Sequence, residues 1–196
     1  MFTEQEKMKL RKKLAEFEGN APYMYLDSKG NVTVGVGHLI SSQKEAQKLD
    51  FFTNEGNNRA TEKQIKEEYE IVKKLSKSRG LFYYRKYTKL HLKGSSIDTL
   101  TNNHIIKFEK KLKEAYPEFD YYPTEVRLAL FDMIFNLGSL NKWNTFNSAI
   151  KAKDWKKAAD DCRRKNIQSE RNEYVKELLL TADTNNKIKE NSGKTK

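Results

Sequence analysis

The 196-residue chain carries 38 Lys and Arg against 27 Asp and Glu, a formal net charge of +11, and 37% of its residues are hydrophobic. This composition indicates a globular protein rather than a disordered segment, and no run approaches the ~18 consecutive apolar residues of a membrane span. Cys162 is the only cysteine and the three histidines lack zinc-ligand spacing, so we expect no metal and no cofactor.

The positive charge indicates an anionic partner without identifying it. The lysines are spread along the chain and no nucleic-acid-binding motif is present, so we expect neither nucleic acid nor stable membrane insertion. The N-terminus alternates charges instead of showing the apolar core of a signal peptide. The sequence therefore predicts synthesis in the cytoplasm, with delivery to an external target by another system.

The first element is a helix that begins at a capping box of Thr3 and Glu6 and runs to Glu18, where Gly19 would end it. Its apolar face consists of Leu10, Leu14 and Phe17. Glu18 therefore borders a buried face, where desolvation favours the protonated carboxyl that a general acid needs. The alternative is a solvated acid at a helix end, as most Glu residues are.

A β-hairpin follows the helix, with residues 28–30 as its loop. A three-residue loop with Gly30 in the left-handed conformation pairs Asp27 with Asn31 and Tyr25 with Thr33. Asp27, Tyr25 and Thr33 would then lie on the same side of the hairpin. The structural alternatives are a turn role for Asp27 and a plain strand role for Thr33.

The returning strand alternates two kinds of residue. The valines at positions 32, 34 and 36 share one face, and Thr33, Gly35 and Gly37 share the other. A face with one hydroxyl and two glycines packs poorly but lets a ligand approach the backbone closely. The sequence therefore predicts that the glycine face is the ligand side.

The order Glu18-Gly19, Asp27 and Thr33-Val34-Gly35-Val36-Gly37-His38 closely resembles the phage-type lysozymes. These are endolysin-like glycoside hydrolases that cut peptidoglycan, with relatives among bacterial effectors. Residues 129–138 resemble the family's buried helix, and residues 155–159 and 171–172 its C-terminal helices. The resemblance implies an α+β, mostly helical, two-lobed lysozyme-like fold, with a small β-hairpin lobe, a larger helical lobe and a substrate cleft between them.

The resemblance also implies the catalytic roles. Glu18 takes the position of the general acid, Asp27 that of the carboxylate that activates water, and Thr33 that of the hydroxyl that positions this water. The implied reaction is hydrolysis of the β-1,4 bond between N-acetylmuramic acid and N-acetylglucosamine. An inverting enzyme of this kind holds its two carboxyls roughly 6.5–9.5 Å apart, and a retaining one about 5–5.5 Å.

Leu39, Phe135, Asn136 and Arg171 are the candidate substrate-binding residues. Phe135 also fits a core position, and Asn136 is either a satisfied buried amide or the family's cleft-lining amide. Arg171 either reaches back to the catalytic Glu or is a solvated helix arginine. We expect His38 to connect the lobes through a hydrogen bond.

The domain interpretation is a single catalytic domain over residues 1–180. The hairpin lobe covers about 19–100, including an insertion at 51–98, and the helical lobe covers about 101–180 plus the N-terminal helix 3–18. The helix at 102–116, rather than that at 61–79, is expected to join the lobes. The polar composition of residues 181–196 predicts a flexible tail.

The resulting functional hypothesis is a monomeric, bacteriolytic peptidoglycan hydrolase. A phage endolysin and a bacterial effector both fit, with a holin or secretion system for delivery and, for an effector, a cognate immunity or inhibitor protein. One alternative is a catalytically silent peptidoglycan-binding module on the same scaffold. Another is a cationic protein that disrupts membranes, although no isolated basic amphipathic helix supports it.

Overall fold

The computed structural model describes residues 1–193 and divides into two compact units. The helical unit comprises Met1–Leu10 and the residues from Ile105 onward, and the hairpin unit comprises Arg11–His104. The expected fold class, α+β and mostly helical, is confirmed. No helix within residues 1–193 has both the length and the apolar character needed to cross a membrane.

The helices are α1 (Glu4–Glu18), α2 (Gln43–Gln47), α3 (Glu62–Lys73), α4 (Leu81–Arg85), α5 (Gly94–Ala115), α6 (Thr124–Leu137), α7 (Asn144–Lys151), α8 (Trp155–Asp160) and α9 (Ser169–Gly193). The strands are β1 (Ala21–Leu26), β2 (Val32–Gly35), β3 (His38–Leu39), β4 (Phe51–Thr53) and β5 (Leu90–Leu92). One unit boundary falls inside α1 and the other inside α5. Residues 11–18 therefore belong to the hairpin unit, whereas we expected the whole of helix 3–18 in the helical lobe.

Two antiparallel sheets organise the hairpin unit. One has the strand order β1-β2-β3, and the other is the pair β4-β5, in which Phe51 opposes Leu92. The Asn- and Gly-containing sequence of residues 51–58 predicts a loop, and this prediction is wrong for residues 51–53, which form β4. Phe51 in β4 is fully buried. Its partner strand β5 lies about 40 residues further along the chain, so the local sequence pattern does not predict the pairing.

The alternation along β2 is confirmed on one face and corrected on the other. Val32, Val34 and Val36 are buried, as expected. Gly35 does not face open space, because a Cβ there would lie 3.1 Å from Cγ2 of Ile97, near the start of α5. This glycine makes room for the Ile97 side chain, so the prediction of an open glycine face is wrong at this position.

The sequence predicts a nearly all-apolar helix from Thr124 to Leu137 that ends at Gly138, and α6 has these bounds. It ends at Gly138, which has a φ of 74°, the left-handed conformation that caps helices. Leu130 and Phe131 are completely buried, so the nearly all-apolar helix forms the centre of this unit. Cys162 is also buried, as expected for a small core residue.

A buried ion-pair network links α6 to the C-terminal region of the helical unit. The two oxygens of Asp132 accept hydrogen bonds from Arg164 Nη1 at 2.7 Å and from Arg171 Nε at 2.9 Å. All three side chains are at most 5% exposed. The alternative of a solvated helix arginine at Arg171 is therefore wrong.

The predicted flexible tail is wrong for residues 181–193, which continue helix α9; residues 194–196 lie outside the described residues. Ala182 is completely buried, and Lys187 pairs with Asp183 one turn away at 2.6 Å. The polar composition was misleading because no Gly or Pro interrupts positions 181–192, so a helix already anchored by packing continues.

The first prediction concerns the ion-pair network. Replacing Asp132 with Asn would remove the buried carboxylate that pairs with Arg164 and Arg171 and should lower the free energy of unfolding by about 3–5 kcal/mol. Denaturant unfolding followed by circular dichroism measures this loss. The exposed Asp160→Asn removes the same charge and should change stability by less than about 0.5 kcal/mol. Equal stability of the two variants would contradict the role given to the network.

Candidate active site

The hairpin turn holds the carboxylate of Asp27 by several hydrogen bonds. Oδ1 accepts from the backbone N–H groups of Lys29 at 2.9 Å and Asn31 at 2.8 Å, and Oδ2 accepts from Asn31 Nδ2 at 3.0 Å. Gly30 has a φ of 86°, so the left-handed conformation expected for the three-residue loop is confirmed. Asp27 therefore does have the turn role that the sequence allowed, and this role fixes the position of its carboxylate.

These hydrogen bonds also set the charge of Asp27. Desolvation would raise the pKa of this half-buried carboxyl, but donors from Asn31, Lys29 and Gly30 outweigh it and hold the pKa below its ordinary value. Hydrogen bonds to the ionised form favour that form. Asp27 is therefore a fixed carboxylate at neutral pH, which is the state in which a carboxyl can accept a proton from water.

The expected register of the hairpin is confirmed. Tyr25 opposes Thr33, and the N–H of Asp27 donates to the carbonyl of Asn31 at 3.0 Å. Because side chains alternate along a strand, Tyr25, Asp27 and Thr33 lie on the same side of the hairpin. Further from the loop the register shifts between Ala21 and Tyr25, an irregularity that the sequence did not predict.

Thr33 is buried, and its hydroxyl donates to the carbonyl of Asn31 at 3.1 Å. With its proton used in this way, Thr33 Oγ1 keeps lone pairs that can accept a hydrogen bond. Thr33 also opposes Leu39 in the β2-β3 pair, and the Leu39 side chain is 51% exposed. The structure thus brings together Thr33 and one of the candidate substrate-binding residues.

Glu18 is the last residue of α1 and is half-buried. Gly19 follows with a φ of 79°, and a Cβ there would lie 2.9 Å from Leu81 Cδ1. A glycine is therefore required after Glu18 both for the left-handed turn and for the close approach of α4. This close packing fixes where the helix ends.

Tyr25 lies close to both carboxyls, although its position in the sequence predicted no role for it. Burial, together with the charges of Glu18 and Asp27, raises the pKa of Tyr25 to about 12, against an opposing hydrogen bond from the backbone of Gly37. The Tyr25 hydroxyl is therefore a neutral group near both carboxyls. The predicted pairing of Tyr25 with Thr33 was the sequence feature that could have assigned Tyr25 to the site.

His38 forms a hydrogen bond, as expected, but within the hairpin unit. Its Nδ1 lies 3.2 Å from Nε2 of His104, and the two rings meet edge to face. Burial lowers the pKa of His38, against the nearby charge of Glu45. This bond connects β3 to α5.

The remaining candidate substrate-binding residues belong to the helical unit. Phe135 and Asn136 are half-buried in the last turn of α6, and Phe135 contacts the rings of Phe108 and Phe131. Arg171 lies in the ion-pair network with Asp132. Substrate binding by these residues stays a prediction. No group of His, Cys, Asp and Glu side chains within residues 1–193 has the arrangement of a metal site.

Comparison with known proteins points in the same direction as these residues. The chain is 28% identical over 144 residues to a protein from Dictyostelium discoideum named "Probable T4-type lysozyme 2", covering 72% of this chain and 74% of that protein. No family model matches the chain. The similarity supports a lysozyme-like family without assigning a particular member, and the α+β, mostly helical fold is consistent with that architecture.

A second prediction concerns the charge of Asp27. Replacing Asn31 with Ala removes the Nδ2 donor but keeps the backbone donors, so the pKa of Asp27 should rise toward its ordinary value. Carbon-13 NMR of the labelled carboxyl groups measures this titration directly, whatever the activity. The nearby exposed Asn20→Ala is the matched control and should leave the titration unchanged. An unshifted Asp27 in the Asn31 variant would show that this side chain does not stabilise the carboxylate.

Proposed function

We propose that this protein is a muramidase, hydrolysing the β-1,4 bond between N-acetylmuramic acid and N-acetylglucosamine in peptidoglycan. The observation that carries the proposal is the hairpin register, which puts an ionised Asp27 and the Thr33 hydroxyl on one side of the hairpin. The charge of Glu18 acts on Tyr25, which lies on that same side. The similarity to a T4-type lysozyme supports the choice of reaction.

In the proposed mechanism, Glu18 is the general acid and protonates the leaving glycosidic oxygen. A water molecule transfers one proton to Asp27 and donates a hydrogen bond with its other hydrogen to Thr33 Oγ1. Thr33 Oγ1 can accept this bond because its own hydrogen is donated to the carbonyl of Asn31. The water lone pair is then free to attack the anomeric carbon. An acid and a base that act on opposite faces of the sugar give inversion of configuration.

Tyr25 has a supporting role in this proposal. A neutral phenol near two carboxyls can donate a hydrogen bond without adding charge, and burial keeps it protonated at any pH where the enzyme would work. The net charge of +11 favours approach to the anionic bacterial wall, an effect that salt weakens. Lysis of bacteria would follow from cleavage of the wall.

The proposal is tested by removing the acid and the base separately. Glu18→Gln and Asp27→Asn should each reduce release of reducing ends from purified peptidoglycan by about 10²–10⁴-fold, because each removes a proton-transfer group. The control is Glu16→Gln, an exposed acid on the same helix that pairs with Lys13 at 2.6 Å. Wild-type activity in either site variant, with the fold intact by circular dichroism, would refute its role. If neither the wild-type protein nor any variant hydrolyses peptidoglycan but all of them still bind it, the result would favour a catalytically silent binding module.

The stereochemical course gives an independent prediction. The first product formed from soluble peptidoglycan oligomers should carry the inverted, α, configuration at the new reducing end. Proton NMR of the anomeric region during the first turnovers distinguishes it from the β anomer before mutarotation mixes them. A β product would instead indicate retention by double displacement and would contradict the role of Asp27 as the base of a single displacement.

A further inference from the structure

A cavity lies in the hairpin unit, in the part of the chain interpreted as an insertion. Its volume is about 710 Å³, and it is lined by residues of β4 and the loop that follows, of α3, and of the segment that leads into β5. None of Glu18, Asp27 and Thr33 lines it. The cavity is therefore separate from the proposed active site.

One carboxyl in the wall of this cavity is incompletely bonded. Glu68 is 5% exposed, and its Oε2 accepts the backbone N–H groups of Lys89 and, at 3.1 Å, Leu90. Its Oε1 is buried and has no hydrogen-bond partner among residues 1–193. Burial raises the pKa of Glu68 to about 7, in spite of the hydrogen bonds from Lys89 and Leu90. A buried oxygen of this kind is costly unless something binds to it.

The missing partner is more favourably a donor than an acceptor. The two backbone N–H groups on Oε2 already stabilise the ionised carboxylate, and a third donor at Oε1 would complete its bonding. An ammonium group would in addition neutralise the buried charge, which removes most of the penalty of burying it. The site thus favours a ligand that carries an amine.

The rest of the wall indicates what surrounds that amine. Lys89 is an exposed cation, Arg59 is an exposed cation that pairs with Asp50, and Tyr87 and Ile71 give exposed apolar surface. The wall also has the amide side chains of Asn54, Asn58 and Gln64. A peptide with an amine and carboxylates can pair with both the acidic and the basic side chains of the wall. A neutral sugar chain would pair with neither.

We propose that this cavity is a peptide-binding site that takes an amine-bearing stem peptide of peptidoglycan, with the ammonium group at Glu68. The substrate named here rests on the proposed muramidase function. The volume suits a peptide of a few residues, and the separation from Asp27 allows the glycan and its peptide to be recognised by different parts of the chain. The insertion then has a role in substrate selection.

Isothermal titration calorimetry tests this with a synthetic tetrapeptide that has an acetylated N-terminus, a lysine with a free side-chain amine and a free C-terminal carboxylate. Glu68→Gln should weaken its binding by about tenfold or more, because a charge-assisted contact is lost. Gln keeps an oxygen for the two backbone donors, so the variant should fold, and thermal unfolding checks this. The exposed Glu62→Gln on the same helix is the matched control and should bind as the wild type does.

Two further ligands test the proposal without any variant. Acetylating the lysine side chain of the peptide should weaken its binding to the wild-type protein by the same factor. An N-acetylglucosamine tetramer should not compete with the peptide. Unchanged affinity after acetylation or in Glu68→Gln, or displacement by the sugar, would overturn the proposal.

The peptide should bind Glu18→Gln as tightly as the wild type. Hydrolysis by that variant tests the muramidase proposal alone. A failure of the muramidase proposal can therefore be distinguished from a failure of the peptide-site proposal.

Discussion

The site depends first on the hydrogen bonds that hold Asp27. The same bonds close the three-residue turn, fix the register that puts Thr33 opposite Tyr25, and keep the carboxylate ionised. A one-residue slip of the hairpin would move Thr33 to the other face. Local turn chemistry and the proposed catalytic chemistry are thus not alternatives in this protein, because one set of donors serves both.

A second constraint is the pairing of buried charges, which acts in the helical unit. Arg171 could have been a solvated surface residue or a site residue on sequence grounds. The structure shows that Arg171 is buried and pairs with Asp132, which also pairs with the buried Arg164 side chain. The solvated alternative is therefore wrong, and the site role stays a prediction. A buried guanidinium without a carboxylate would be costly, so this network explains why an apolar helix such as α6 carries an acid at its centre.

The sequence predicted those features that depend on neighbours in the chain. The bounds of α6, the capping box at Thr3 and the register of the hairpin are all local, and they are confirmed. The features it missed depend on distant partners. Strand β4 needs β5, Gly35 needs Ile97, and the extension of α9 needs the core that buries Ala182. The sequence correctly predicted that Tyr25 lies on the same face of the hairpin as Thr33. Its raised pKa could not be predicted, because it depends mainly on burial.

Asp27 and Glu68 show how burial and donors together decide the state of a carboxyl. Asp27 is half-buried and both of its oxygens accept hydrogen bonds, so its pKa falls. Glu68 also accepts two backbone N–H groups, but on one oxygen only and at 5% exposure, and its pKa rises to about 7. The number of donors therefore does not predict the charge by itself. A carboxyl whose second oxygen has no donor is the one that a ligand can change most, and this is why a ligand would gain more from binding at Glu68 than at Asp27.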